Sequence, residues 1–275
     1  MSYWGLFEFT MKTKNILILF IFLCIGCEND LNIRPTNWER KLVIKGVFLS
    51  QRDNFVGISN TYYPYSDSRY YKIDKNYLTV RITYKGNSYT LQETPDSLQP
   101  FFNSSDYYFM LPKSDFVMPD SGVLTLDVFY KDKHVFANCE IPDKIPVQKF
   151  EEDFVNKITK LTAKFPQGIS YLLIRDKWWS LDAPQYHNLH KILKIIGDGT
   201  EKNIDIQGIY PENIFSFWII SKEFYEFLRA KEKHIENQED KYFFGNPIIE
   251  VPTNIKGGFG FFTVLTEIGK TQITP

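Results

Sequence analysis

Cysteine is nearly missing from this 275-residue chain, with three examples at Cys24, Cys27 and Cys139. Cys24 falls in an N-terminal leader and Cys27 directly after it, so Cys139 is the one free thiol of the body and no intramolecular disulfide framework is expected. Buried apolar surface must hold the fold instead. Charge of one sign is missing too: 32 basic and 33 acidic side chains leave a formal net charge of −1, without the basic field that draws nucleic acid. No apolar run approaches the roughly twenty residues of a membrane-spanning helix. The HExxH pair, the P-loop and the G-x-S-x-G nucleophile elbow are all absent, and with them the usual marks of a zinc hydrolase, a nucleotide-binding enzyme and a serine hydrolase. Nothing in these motifs implies a cofactor. Internal repeats are absent as well, which argues against a solenoid or a propeller.

What is present starts with a leader. From Met11 the chain reads Lys12 and Lys14, an apolar stretch Ile16–Ile25, then Gly26 and Cys27, the three-part plan of a secretory signal. Translation is accordingly expected to start at Met11, with residues 1–10 an over-long gene start. A stretch of about ten apolar residues is half of what a bilayer span requires. Glycine directly before cysteine fits a lipoprotein-type signal better than an A-x-A cleavage site, although Cys24 stands where leucine is commonest. Residues 1–26 are therefore read as the signal peptide and Cys27 as the lipidation site, where acyl chains contribute about 0.8 kcal/mol per buried methylene to membrane binding. Residues 27–40 are polar, hold Pro35 and lack periodicity, and read as lipid anchor and tether.

The mature body of about 250 residues is long enough for two domains of ordinary size. Aromatics make up 17% of the chain, with 24 Phe and 17 Tyr, a composition that favours strands. Leu78, Val80, Ile82 and Tyr84 alternate with Thr79, Arg81 and Thr83, the period of a half-buried strand, and Lys85-Gly86-Asn87 turns it into a hairpin. Val123–Tyr130 and Lys133–Glu140 form a second hairpin about Lys131-Asp132, which puts Val135, Ala137 and Cys139 on one face. Cys139 is thus expected to be a small core residue rather than a nucleophile. The fold class read from these patterns is mainly β: an immunoglobulin-like β-sandwich over residues 41–145, then a β-rich domain with one α-helix over residues 146–275. The prolines of Ile141–Pro146 mark the boundary. In the second half, 157–165 and 169–178 are expected as strands joined by Pro166-Gln167-Gly168, and 190–196 and 203–209 as strands flanking Gly197-Asp198-Gly199. Ser221 caps the helix, which is expected to fray into the charged stretch Lys231–Lys241.

Several constellations invite a functional reading. His187 and His190 would share a helical face but lie on opposite faces of a strand, and no third ligand stands near, so no metal site is assigned. Gly257, Gly258 and Gly260 lack the lysine and the helix of a phosphate cradle; they read as structural glycines with the neighbouring phenylalanines packed inward. Trp178 and Trp179, with Tyr62, Tyr63 and Tyr65, offer flat faces to a ligand or partner, and are the candidate binding residues. Core or loop packing is the competing account of the same aromatics. No catalytic residue is assigned.

Cys27-Glu-Asn-Asp30, Lys41–Val47, Ala137–Pro142, Ser221–Tyr225 and Pro252–Gly260 together resemble a cell-envelope lipoprotein family of the Bacteroidota that carries a domain of unknown function. The acidic residues after Cys27 also resemble the export tag of that group's surface lipoproteins. The resemblance implies an outer-membrane, lipid-anchored protein, exposed at the cell surface, whose gene neighbours a TonB-dependent receptor. On that basis the expected role is a non-enzymatic accessory or ligand-binding component beside an outer-membrane receptor. A surface hydrolase of glycans or peptides and an adhesin-like module are the alternatives.

Overall fold

Strand β1 (Leu42–Leu49) has apolar residues in both phases of its period-two pattern, because both of its faces are covered. Leu42, Ile44 and Phe48 enter one core, while Val47 and Leu49 enter another behind it. The computed structural model describes residues 40–50, 52–61, 73–94, 105–153, 158–176, 190–207, 215–239 and 251–270. All of these belong to one unit, Arg40–Pro275. Cys27, Tyr62, Tyr63, Tyr65, Trp178, Trp179 and His187 lie outside the described residues, and of His190 only the backbone is described.

The remaining elements in chain order are β2 (Asn54–Asn60), β3 (Leu78–Tyr84), β4 (Asn87–Thr90), β5 (Gln92–Glu93), β6 (Tyr107–Leu111), β7 (Val123–Tyr130), β8 (Lys133–Glu140), β9 (Val147–Asp153), β10 (Ile158–Lys164), β11 (Gly168–Asp176), β12 (His190–Gly197), β13 (Glu201–Gln207), β14 (Phe215–Ile220), α1 (Lys222–Glu239) and β15 (Phe259–Lys270). They build a mainly β fold of three sheets. The largest has eight strands in the order β12-β11-β14-β15-β1-β2-β6-β5. A four-stranded sheet, β4-β3-β7-β8, faces one end of it across a core that includes Ile44, Phe48, Val80, Leu126, Ala137 and Phe262. A three-stranded sheet, β13-β10-β9, faces the other end across Leu161, Phe165, Leu172, Phe217 and Ile219. The structure is thus two β-sandwiches that share a continuous sheet.

Residues 141–146 run from the last strand of the first sandwich to the first of the second, and β15 ties the two together. Its first half pairs in parallel with β1, from Val43↔Phe259 to Leu49↔Leu265. Its second half pairs antiparallel with β14, through Ile219↔Thr266 and Ser216↔Lys270. Nothing in the local sequence around Phe259 announces this long-range parallel pairing.

Local chemistry and structure agree best in the hairpins. Lys85 and Gly86 take φ of 47° and 83° between β3 and β4, the pair of positive angles that a two-residue hairpin turn with the right twist requires. The hairpin of β7 and β8 pairs Tyr130 with Lys133 and Val123 with Glu140, as the alternation predicts. The stretches joined by Pro166-Gln167-Gly168 are strands, but β10 pairs with β9 and β13 whereas β11 pairs with β12 and β14. That connection therefore crosses between facing sheets, as does the one from β12 to β13. The helix does not fray at Lys231: it continues to Glu239. Phe259 is a second correction, since it is 44% exposed under the Lys41 ammonium while Phe261 and Phe262 are buried.

Candidate functional site

The sheet face opposite the two sandwich cores is covered by α1, and a groove opens where the helix leaves it. Ser221 starts the helix: its hydroxyl accepts a hydrogen bond from the Phe224 amide at 3.2 Å, and Glu223 sits in the favourable first turn. Phe224 and Leu228 are buried and Phe227 is half-buried, so spacings of three and four lay one stripe on the sheet. The stripe meets Phe261 of β15. Ring centroids of Phe224 and Phe227 stand 5.1 and 4.8 Å from that of Phe261, within the range of favourable aromatic pairing. Further along, the same helix side carries Lys231 and His234, and the lining turns from apolar to basic.

The groove encloses about 420 Å³. Its floor and walls are Val47, Phe224, Phe227, Val251, Pro252, Phe259 and Phe261, with Lys45, Lys231 and His234 as the basic groups. The segment before β15 forms one wall and is pinned by side chains that imitate a strand. Asn254 donates from Nδ2 to the Phe262 carbonyl at 2.7 Å and accepts from the Phe262 amide at 3.0 Å. Thr253 donates from its hydroxyl to the Gly260 carbonyl at 2.7 Å. The glycines do structural work here: Gly257 and Gly260 adopt φ of 81° and 104°.

A larger cleft of about 580 Å³ lies where the turn between β1 and β2 meets the loop after β6 and the middle of β15. Arg52, Lys113 and Lys144 line it together with Asp120 and Glu267, so both signs of charge are present. Nearby, Arg175 is buried with its guanidinium 5.3 Å from the Trp218 ring. Burial, and then the charge of Arg52, push its pKa down to about 10 against the opposing pull of Glu267. Between the two cavities, the smaller has the character of a small-molecule site, because concave apolar walls with a few placed polar groups are what such sites share.

Cys139 is a core residue, as its place on β8 predicts. Burial pushes its thiol up to about 11, the opposite of an activated nucleophile. His134, also on β8, stacks on Phe129 at 4.5 Å and contacts Asp127 at 2.8 Å. Among the described residues no group of three or more His, Cys, Asp or Glu is placed to hold a metal ion, and no helix is long and apolar enough to cross a membrane.

The groove is formed by residues that the sequence keeps far apart: Lys45 and Val47, then 224–234, then 251–261. Reading the helix alone assigns Lys231 and His234 to a polar helix end.

No curated protein matches the chain. Two solved structures with weak likeness are a chimeric titin Z1Z2-Z1Z2 tandem functionalized with a GRGDS peptide from fibronectin and a chimeric titin Z1Z2 functionalized with a KLER peptide from decorin. The first is 10% identical over 66% of this chain and 92% of that one, with a TM-score of 0.21. The second is 11% identical over 68% and 92%, with a TM-score of 0.22. Likeness at that level bears on neither fold nor function. The family model described as Domain of unknown function (DUF4249) matches residues 28–271, and the chain belongs to that family.

Proposed function

We propose that this protein is an outer-membrane lipoprotein, anchored through Cys27, which works as a non-enzymatic ligand-binding component beside an outer-membrane receptor of the TonB-dependent kind. The observation that carries the binding role is the groove of about 420 Å³ between α1 and β15, a volume within the usual range of small-ligand sites. Its aromatic floor is held by ring contacts within the sheet-helix core, so the site is formed before a ligand arrives and little ordering is left to oppose binding. The signal Gly26-Cys27 and the acidic residues after it support the location, and the family resemblance supports the neighbouring receptor.

The test uses the full mature chain with Cys27→Ser, which stays in solution without acyl chains. Nile red, a neutral dye whose emission shifts to the blue in apolar surroundings, should bind with a stoichiometry of one. Lys231→Trp lays an indole across the groove and should abolish that signal without changing the far-UV circular dichroism. An unshifted dye spectrum, or a shift that Lys231→Trp leaves intact, overturns the groove as the binding site.

A further inference from the structure

We infer that the larger cleft, where the turn between β1 and β2 meets the loop after β6 and the middle of β15, is a second binding site that takes a small hydrophilic molecule carrying several separate carboxylates. It is independent of the groove beside α1, since the two linings share no residue. Three cations reach the cleft from three chain segments: Arg52 from the turn, Lys113 from the loop and Lys144 from the connection between the sandwiches. Among the described residues no ion pair or hydrogen bond engages the side-chain charge of any of them. Of the two acids in the lining, Glu267 pulls on the guanidinium of Arg175, which leaves Asp120 against the three cations. Burial, and after it the charge of Arg52, lowers the proton affinity of Arg175, so the field beside the cleft is positive too. An anion placed there relieves a repulsion that the fold leaves standing.

The walls are formed before a ligand arrives. Asn54 holds the turn, accepting from the Leu49 amide at 2.6 Å and donating to the Arg52 carbonyl at 3.2 Å. Asp53 accepts from the Lys113 amide at 3.0 Å, which ties the loop to the turn. Phe116 anchors that loop, being buried with its ring centroid 4.9 Å from that of Tyr89. The Thr266 hydroxyl donates to the Pro142 carbonyl at 2.8 Å and holds the connection that bears Lys144 beside β15. Little backbone ordering is therefore left to oppose binding. Ser50, Asn54 and Thr266 add polar groups to the charges, so the lining is far more hydrophilic than that of the groove. The cations stand around about 580 Å³, far more than a single phosphate ion fills, which suits negative groups spread over a ligand instead of gathered at one centre. Each cation is exposed and one contact is worth little, so affinity comes from engaging several at once.

The experiment is isothermal titration calorimetry of the full mature Cys27→Ser chain at low salt with tricarballylate, butyrate and inorganic pyrophosphate. Tricarballylate should bind one per chain, about tenfold tighter than butyrate and tighter than pyrophosphate, and should weaken as salt is added. Lys113→Gln/Lys144→Gln should lower tricarballylate affinity about tenfold, and Asp120→Asn should raise it about threefold. Lys85→Gln/Lys131→Gln, at the hairpin turns of the four-stranded sheet, should leave it unchanged. All of these side chains are exposed, so the far-UV circular dichroism should stay the same throughout. Equal losses in the two lysine pairs would mean attraction to general surface charge and overturn the site. Tighter binding of pyrophosphate overturns the carboxylate class, and equal binding of butyrate and tricarballylate, or none of either, overturns the inference entirely. Nile red should bind Lys113→Gln/Lys144→Gln as before; its loss there would overturn the independence of the two sites.

Discussion

Gly260 lies so close to Ile44 that a Cβ on the glycine would stand 1.9 Å from the Ile44 carbonyl oxygen. The contact sits inside the parallel pairing of β15 with β1, where Ile44 and Gly260 are register partners. Its φ of 104° is one that side chains rarely adopt, so steric clash and backbone strain act together.

Gly260→Ala should therefore destabilise the protein by about 3 kcal/mol or more, well above the cost of an ordinary surface change. Urea denaturation followed by tryptophan fluorescence measures it. A loss below about 0.5 kcal/mol, the usual range for an exposed position, would show that the strand approach is looser than described. Because Gly260 also lines the groove, Nile red binding should weaken in the same variant.

A chain ending at Gly258 loses all twelve residues of β15. That one strand sits between β1 and β14 in the large sheet, so its removal opens an apolar edge in both sandwiches at once. The expected outcome is an aggregation-prone product with no cooperative thermal transition. Retention of two separate transitions would mean that each sandwich folds without the shared strand.

Cys139 makes a pH prediction. Its thiol ordinarily loses a proton near 9.0, and burial holds the folded value at about 11. Between these values the unfolded chain binds fewer protons than the folded one, so stability is level below the window and falls as pH rises through it. From pH 8.5 to pH 10 this loss is about 1 kcal/mol. Comparing urea midpoints across that range, Cys139→Ala should lack this part of the decline. Identical slopes in both proteins would remove the thiol as the cause. A thiol reagent at pH 8 should also react only when denaturant is added.

The lipidation proposed at Cys27 has a direct readout. Labelled palmitate supplied to growing cells should enter the protein, and Cys27→Ser should lose the label and leave the membrane fraction. Equal labelling of both forms would displace the anchor from this residue.

Among the descriptions read from sequence, those settled by neighbouring residues correspond most closely to the structure. Turn residues at Lys85-Gly86 and Lys131-Asp132 set their hairpins, because two backbone angles fix where a strand must reverse. Ser221 likewise starts α1, since a hydroxyl needs only the amide three residues on. Phe215–Ile220 escaped a strand assignment for the opposite reason. All six residues are buried, the alternation that identifies a strand vanishes, and a short apolar run has no period to read.

The composition and the patterning of single segments thus determined a mainly β chain with one capped helix and a core thiol. Which strands pair across the chain was decided only in three dimensions. Parallel pairing of β15 with β1, crossovers between facing sheets and the groove beneath α1 all join residues far apart in sequence, and their stability comes from surfaces that exist only once both partners are folded. That is why Lys231 and His234 read as a plain helix end until Phe261 is brought beside them.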